Sequence, residues 1–295
     1  MKITCFGEVL WDIFPTHRKI GGAPLNVALR LHTMGIDTSL ITRIGNDDLG
    51  SDIVGYLEKQ GMRNNIFQED IKHITGEVLV TLDGSGTASY EISKPVAWDF
   101  IEYTKKMEQL VVSSDAFVFG SLASRSEESR NTLLKLLEKA LYKVLDVNLR
   151  PPHYDASLLL QLMNQADFIK LNDEELEEIC EHLNIRENAL ENQVKALAKE
   201  TKTDQICITK GGKGAALFFD NEFYNNPGYK IQVVDTVGAG DSFLATLISK
   251  LLTKSQPQEA IDYACAVGAM VAGSKGANPV FSKEEIEAFM YENAK

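Results

Sequence analysis

The stretch at residues 233–250, VVDTVGAGDSFLATLISK, decides how the rest of the chain is read. It passes from β-branched residues through a glycine-bearing turn into a long apolar segment, which predicts a helix beginning near Ala239. Gly238 and Gly240 remove side chains where that helix starts, so first-turn N–H groups can face a ligand. These orphan donors and the positive end of the helix dipole together make an anion site. Asp241 is the odd member. A carboxylate in a first turn is ordinarily a cap or a dipole partner. Beside phosphate it is repelled, unless it takes a proton from an alcohol as that alcohol attacks a phosphoryl group. The turn therefore predicts an alcohol phosphotransferase with Asp241 as base. Backbone N–H groups of Gly238, Ala239, Gly240 and Asp241 would stabilise the moving charge.

Composition narrows the field. With 295 residues and 44% hydrophobic content, the chain can bury a large core in one main domain. A formal charge of −12 argues against a nucleic-acid or anionic-membrane surface, and means that an anionic nucleotide needs a locally positive pocket or a metal ion. Cys5, Cys180, Cys207 and Cys265 are far apart and form no CxxC pair, as expected of reduced, buried residues in a cytosolic protein. The opening MKITCFGEVLWDIF is too acidic and too short in apolar run for a signal peptide, and no stretch reaches transmembrane length.

Working outward, residues 3–9 predict a buried strand and residues 10–20 an extended, partly exposed stretch. A helix follows at 24–34, then a strand at 39–44 and a helix at 47–60. Residues 77–83 and 87–92 alternate around Gly84-Ser85-Gly86 and predict a hairpin, which together with 10–20 would form a small separate sheet. Alternation then resumes: a helix at 99–112 capped by Asp99, a strand at 116–119, a helix at 127–141 and a strand at 144–147. The same reading gives a helix at 156–165, a strand at 168–171, helices through 181 and at 187–202, and a strand at 205–209. Edge strands lie around Phe218 and Phe223, and helices at 257–272 and 282–291 close the chain. Strand–helix alternation predicts a mostly parallel α/β sheet, whose ligands sit beyond the carboxyl ends of its strands.

DTVGAGDSF, residues 235–243, resembles the C-terminal signature of the ribokinase (PfkB) family of sugar kinases. GGAPLNVALRLHTMG, residues 21–35, resembles that family's N-terminal signature in its fructokinase-like form. The resemblance implies a ribokinase-like three-layer α/β sandwich, one domain over 1–295, with a β-lid at about 10–20 and 76–98. Many relatives dimerise through such a lid. It further implies ATP and magnesium as cofactors, admits potassium, and gives a sugar's primary alcohol as acceptor. D-fructose comes first, with ribose and 2-keto-3-deoxygluconate as alternatives. The ribokinase version of the first motif carries Lys where Ala23 stands.

Each remaining motif has a plainer reading beside that one. Gly21 to Asn26 is, by spacing alone, a turn and a helix start; the resemblance sets Gly22 and Asn26 against sugar hydroxyls, which an amide can both donate to and accept from. Asp12 is either an exposed polar residue or the family's sugar-binding carboxylate. Trp11, Phe14 and Trp98 read as packing residues. In DVNLR, residues 146–150, and GSLASR, residues 120–125, the side chains of Arg150 and Arg125 would either satisfy loop carbonyls or meet sugar or phosphate. Asn172 and Glu175 begin an acidic first turn favoured by the dipole; they match the family's NxxE element, linked to magnesium and phosphate placement. TKGGKG, residues 209–214, lacks Walker A spacing. It is a hairpin turn on its own terms, and by resemblance a nucleotide loop using Thr209, Lys210, Gly211 and Gly214. Asp235 falls where relatives hold a monovalent cation. Two readings of other classes stand against a kinase: an idle sugar-binding sensor, and a dinucleotide dehydrogenase, the latter weakened by the lack of GxGxxG after the first strand.

Overall fold

A computed structural model describes residues 1–293 except 64 and 83–87. The fold is α/β, with mostly parallel main strands and a separate four-stranded sheet. The chain divides into two compact units, residues 1–32 with 36–141, and residues 33–35 with 142–295.

The first unit contains β1 (Lys2–Phe6), β2 (Leu10–Ile13), β3 (Arg18–Gly21), α1 (Ala23–Thr33), β4 (Asp37–Gly45), α2 (Asp48–Lys59) and β5 (Ile66–Asp70). It continues with β6 (Gly76–Leu82), β7 (Ala88–Ile92), α3 (Lys105–Val112), β8 (Ala116–Gly120) and α4 (Glu127–Leu137). Its main strands run β8-β1-β4-β5, all parallel. β1 and β8 are almost wholly buried, as expected of strands covered on both faces. The small sheet runs β3-β2-β6-β7, antiparallel at both flanks and parallel between β2 and β6. Alternation along β6 turns Val78 and Val80 inward against Leu10, Phe14 and Ile92, and leaves Leu79 outside.

The second unit contains β9 (Lys143–Asp146), α5 (Ala156–Met163), β10 (Phe168–Asn172), α6 (Asp173–His182), α7 (Leu190–Thr201) and β11 (Ile206–Thr209). There follow β12 (Ala215–Phe219), β13 (Glu222–Asn226), α8 (Ala239–Leu252), α9 (Pro257–Ala272) and α10 (Lys283–Glu292). β9, β10 and β11 are parallel, and β12 and β13 return antiparallel at the edge. Residues 242–249 of α8 are all buried, so this stretch is covered on every side, and the helix packs along α9.

The stretch at 10–20 is extended and joins the small sheet as expected, resolving into an antiparallel pair, β2 and β3, on either side of Pro15. Several other expectations need correction. β5 was not expected, because IFQED mixes polar with apolar residues at a sheet edge. α3 starts at Lys105 under a Thr104 cap, not at Asp99; residues Ala97–Phe100 make a short 3₁₀ turn instead. Asp99 cannot open a helix running to Val112, since its carboxylate accepts from the Val96 N–H and pairs with Arg125. The expected helix at 127–141 ends at Leu137. The Gly84-Ser85-Gly86 turn lies outside the described residues.

Candidate active site

In the second unit the glycine turn and helix start expected near Ala239 form as the sequence suggests. Gly238 caps α8 in a left-handed conformation, φ 76°. A Cβ there would also lie 2.6 Å from Ala277, so the position excludes side chains twice over. Ala239 and Gly240 follow in the first turn, where N–H groups have no intrahelical acceptor. Both line a cleft of about 420 Å³ at the carboxyl ends of β10 and β11, together with Asn172, Thr209, Gly211 and Gly214. The structure thus brings together two segments whose connection in sequence was only a matter of motif. Asp241 comes one residue after Gly240, half-buried, and does not line the cleft itself.

The cleft's far wall was missed in the sequence. Tyr229 and Ile231 from the segment after β13, Phe243 from α8, and Cys265, Gly268, Ala269 and Ala272 from α9 give it an apolar side. The α9 residues follow helical spacing, so small size on one stripe was the available signal. A cleft of about 430 Å³ in the first unit is lined by Lys2, Asp37 and Ser39, at the amino ends of β1 and β4, the wrong end of parallel strands for a ligand.

Asn172 and Glu175 form a capping box. The Asn172 side chain accepts from the Glu175 N–H at 2.8 Å, and Glu175 Oε2 accepts from the Asn172 N–H at 2.7 Å. Glu175 Oε1 accepts from the Leu149 N–H at 2.8 Å, tying α6 to the loop after β9. Burial pushes the Glu175 carboxyl up, and nearby Lys170 opposes that. Both Glu175 oxygens accept from backbone donors, which orients the carboxylate while each oxygen keeps a lone pair for a metal ion or a water. Among the described residues no group of three or more His, Cys, Asp or Glu is arranged to hold one. Lys210 is half-buried and its N–H donates to Gly214 O at 2.7 Å, closing the 209–214 turn as a hairpin; it does not line the cleft. Val237 N–H donates to Asp235 Oδ1 at 3.1 Å, and the N–H groups of Val234 and Asp235 both donate to Ala272 O. Arg150 is exposed and donates to Leu149 O at 2.8 Å, satisfying a loop carbonyl.

Lys170 was also missed. It stands in β10 directly opposite Asp146 of β9, with Nζ 2.9 Å from Asp146 Oδ1, and the pair is almost fully buried. Burial lowers the affinity of Lys170 for its proton, but Asp146, Glu175 and Asp241 outweigh this and hold the ammonium above the usual lysine range.

In the first unit, Gly22 precedes α1 at φ 117°, where a Cβ would meet Glu8 O at 2.4 Å. Asn26 is buried in the first turn of α1, its N–H bonded to Gly22 O. Asp12 on β2 lies across from this start: its Oδ2 would be 2.8 Å from a Cβ on Gly21. The structure therefore gathers Asp12, Gly22 and Asn26, three residues expected to meet sugar. Arg125 is placed differently. Its side chain is 1% exposed, donates to Asp99 at 2.7 and 2.8 Å and to Ser93 O at 2.6 Å, and stacks 3.9 Å over Trp98. That arginine holds the fold and is not open to substrate, and Trp98 is buried packing.

The family model for pfkB family carbohydrate kinases matches residues 3–284. Fructokinase-2 of Solanum lycopersicum is 26% identical over 307 residues, covering 94% of this chain and 92% of its own. An uncharacterized sugar kinase from Pyrococcus horikoshii, solved in complex with ATP, superposes with a TM-score of 0.82 at 25% identity, over 99% of this chain and 100% of its own. A 2-dehydro-3-deoxygluconokinase from Thermotoga maritima gives 0.83 at 22% identity, over 99% and 98%. The chain belongs to the PfkB family of carbohydrate kinases, with the ribokinase-like fold.

Proposed function

We propose that this kinase transfers the terminal phosphoryl group of ATP to a primary hydroxyl of a sugar, with D-fructose the first choice and fructose 6-phosphate the product. The observation that carries this reading is the turn at 238–241, glycine-capped and opening on a cleft that also gathers Thr209, Gly211, Gly214 and Asn172. Asp241 takes the hydroxyl proton, and the oxygen so exposed attacks the phosphorus. Backbone N–H groups of the turn stabilise the charge on the moving group, and ADP leaves. Asp12, Gly22 and Asn26 hold the sugar hydroxyls. Tyr229, Ile231 and the small-residue face of α9 supply an apolar wall for the nucleotide. Magnesium, when bound, would screen the charge of the nucleotide phosphates, with Asn172 and Glu175 the residues that would orient it indirectly. Potassium at Asp235 belongs to the same proposal.

Support for fructose comes from the fructokinase relative and from GGAPLNVA and DVNLR. The deoxygluconokinase neighbour shares the fold at an identity too low to choose a substrate. An enzyme of the cytosol accords with four free, buried cysteines. A homodimer through the small sheet accords with Leu79, 42% exposed on the outer face of β6. A coupled assay of ADP release over fructose, ribose, 2-keto-3-deoxygluconate, tagatose and nucleosides tests the proposal. Fructose should give the highest kcat/KM. Release with none of them would leave the sensor reading.

A further inference from the structure

The second unit places a cation where helix physics disfavours one. If Gly240 carried a Cβ, that atom would sit 3.4 Å from Lys170 Nζ, so the ammonium lies directly behind the first turn of α8. A cation at a helix amino end opposes the dipole, and a buried ion pair is often no more stabilising than apolar residues of equal volume. Stability alone is therefore a poor reason for this arrangement. The surroundings supply a better one. Asp146 on β9 holds Nζ at 2.9 Å through Oδ1, while its buried Oδ2 has no hydrogen-bond partner among the described residues. Glu175 on α6 and Asp241 on α8 both act on Lys170, and Cys207, opposite it on β11, is a further titratable neighbour.

We propose that Lys170, clamped by Asp146, is a positioning residue that makes the turn at 238–241 cationic enough to accept phosphate while Asp241 stays ionised beside it. The difficulty it resolves is general. A carboxylate next to a polyphosphate is pushed toward its neutral form by like charge, and a protonated carboxyl cannot act as a base. An ammonium behind the turn opposes that push without entering the cleft, since Lys170 does not line it. Asp146 fixes where the ammonium sits and offsets part of its charge, so the two side chains set the field at Asp241 in opposite directions.

This inference deepens the kinase reading and rests on it, but the two can fail separately. The variants are Lys170→Met, Asp146→Asn and the double variant, compared by ATP titration calorimetry without sugar and by pH profiles of kcat/KM. Lys170→Met should weaken ATP binding about tenfold, lower kcat at least about tenfold with little change in sugar KM, and move the acid limb up by about one pH unit. Asp146→Asn leaves the ammonium less compensated and should move that limb down. Opposite displacement is the signature of field setting; limbs that stay put or move together while stability falls would make the pair merely structural and overturn the inference. Should Lys170→Met fail to fold, the double variant carries no unpaired buried charge; wild-type kcat and ATP affinity in it would equally overturn the inference. A wild-type protein releasing no ADP with any sugar would sink the kinase reading. The ATP titration would still decide the role of Lys170: unchanged affinity in the variants overturns it.

Discussion

Arg125 donates from Nε and Nη2 to Asp99 and from Nη2 to Ser93 O inside the first unit, with Trp98 stacked beneath, while its buried Nη1 has no hydrogen-bond partner among the described residues. Removing one partner of a buried pair leaves the other charge uncompensated. Arg125→Met should therefore lose about 3–5 kcal/mol in urea unfolding. Whatever folds should keep its sugar KM, because the side chain is closed to ligand; a large KM rise at unchanged stability would return Arg125 to the substrate. The same residue shows where sequence reading stops. GSLASR looks like an exposed loop that could meet phosphate, and its true partner stands 26 residues earlier at a position read as a helix cap. Lys170 was hidden for the same reason: inside FIKL it is one polar residue in a strand, and only the register of β10 against β9 sets it on Asp146. Local patterns carry spacing, while ion pairs between elements do not.

The helix starts were far more legible, because caps act over three or four residues. The box at Ser282–Glu285 forms as its residue types suggest, the one at Asn172–Glu175 went unread as a box, and Asp47 caps α2 through the Gly50 N–H at 2.8 Å. Asp47 also accepts from the Thr75 N–H and hydroxyl. Burial works against its ionisation, but these hydrogen bonds outweigh it and hold the carboxyl below the ordinary value of 3.8. A depressed carboxylate contributes stability that is present above the unfolded-state value and lost as pH falls through the folded one. The urea midpoint should thus fall steeply below about pH 4, and Asp47→Asn should flatten that fall at the cost of a lower midpoint near neutrality. Equal slopes for both proteins would remove Asp47 from the acid transition. At the starts of α1 and α8 the backbone itself is decisive. Gly22→Ala meets Glu8 O and Gly238→Ala meets Ala277, each at positive φ. Strain of about 1–3 kcal/mol is expected at each. Circular dichroism melts should show a modest loss of Tm, and kinetics a much larger loss of kcat/KM. Normal kcat/KM in either alanine variant would mean that the turn tolerates displacement.

Across the whole chain, a charge of −12 must coexist with a site for a polyanion, which concentrates the electrostatic problem at one turn. The α/β class, the separate small sheet and the order of nearly every element were readable from alternation and two signatures, because periodicity and glycine placement are local. The apolar wall of the cleft was not, since Tyr229 and Cys265 meet only when α9 packs beside the edge strands. Assembly is testable at this scale as well. If two copies join through the small sheet, sedimentation equilibrium should give a dimer, and Leu79→Asp, on the outer face of β6, should give a monomer with its fold intact. A monomeric wild type would end that proposal.

The account depends most on Asp241, the acid following the glycine turn that we propose takes phosphate. Its most direct test is the steady-state turnover of Asp241→Asn with ATP and the preferred sugar, measured beside calorimetric affinities for both ligands. We expect affinities near those of the wild type and kcat lower by at least about 10²–10⁴, the range of a lost general base. Turnover within a few-fold of the wild type would contradict the mechanism, whatever the family of the chain.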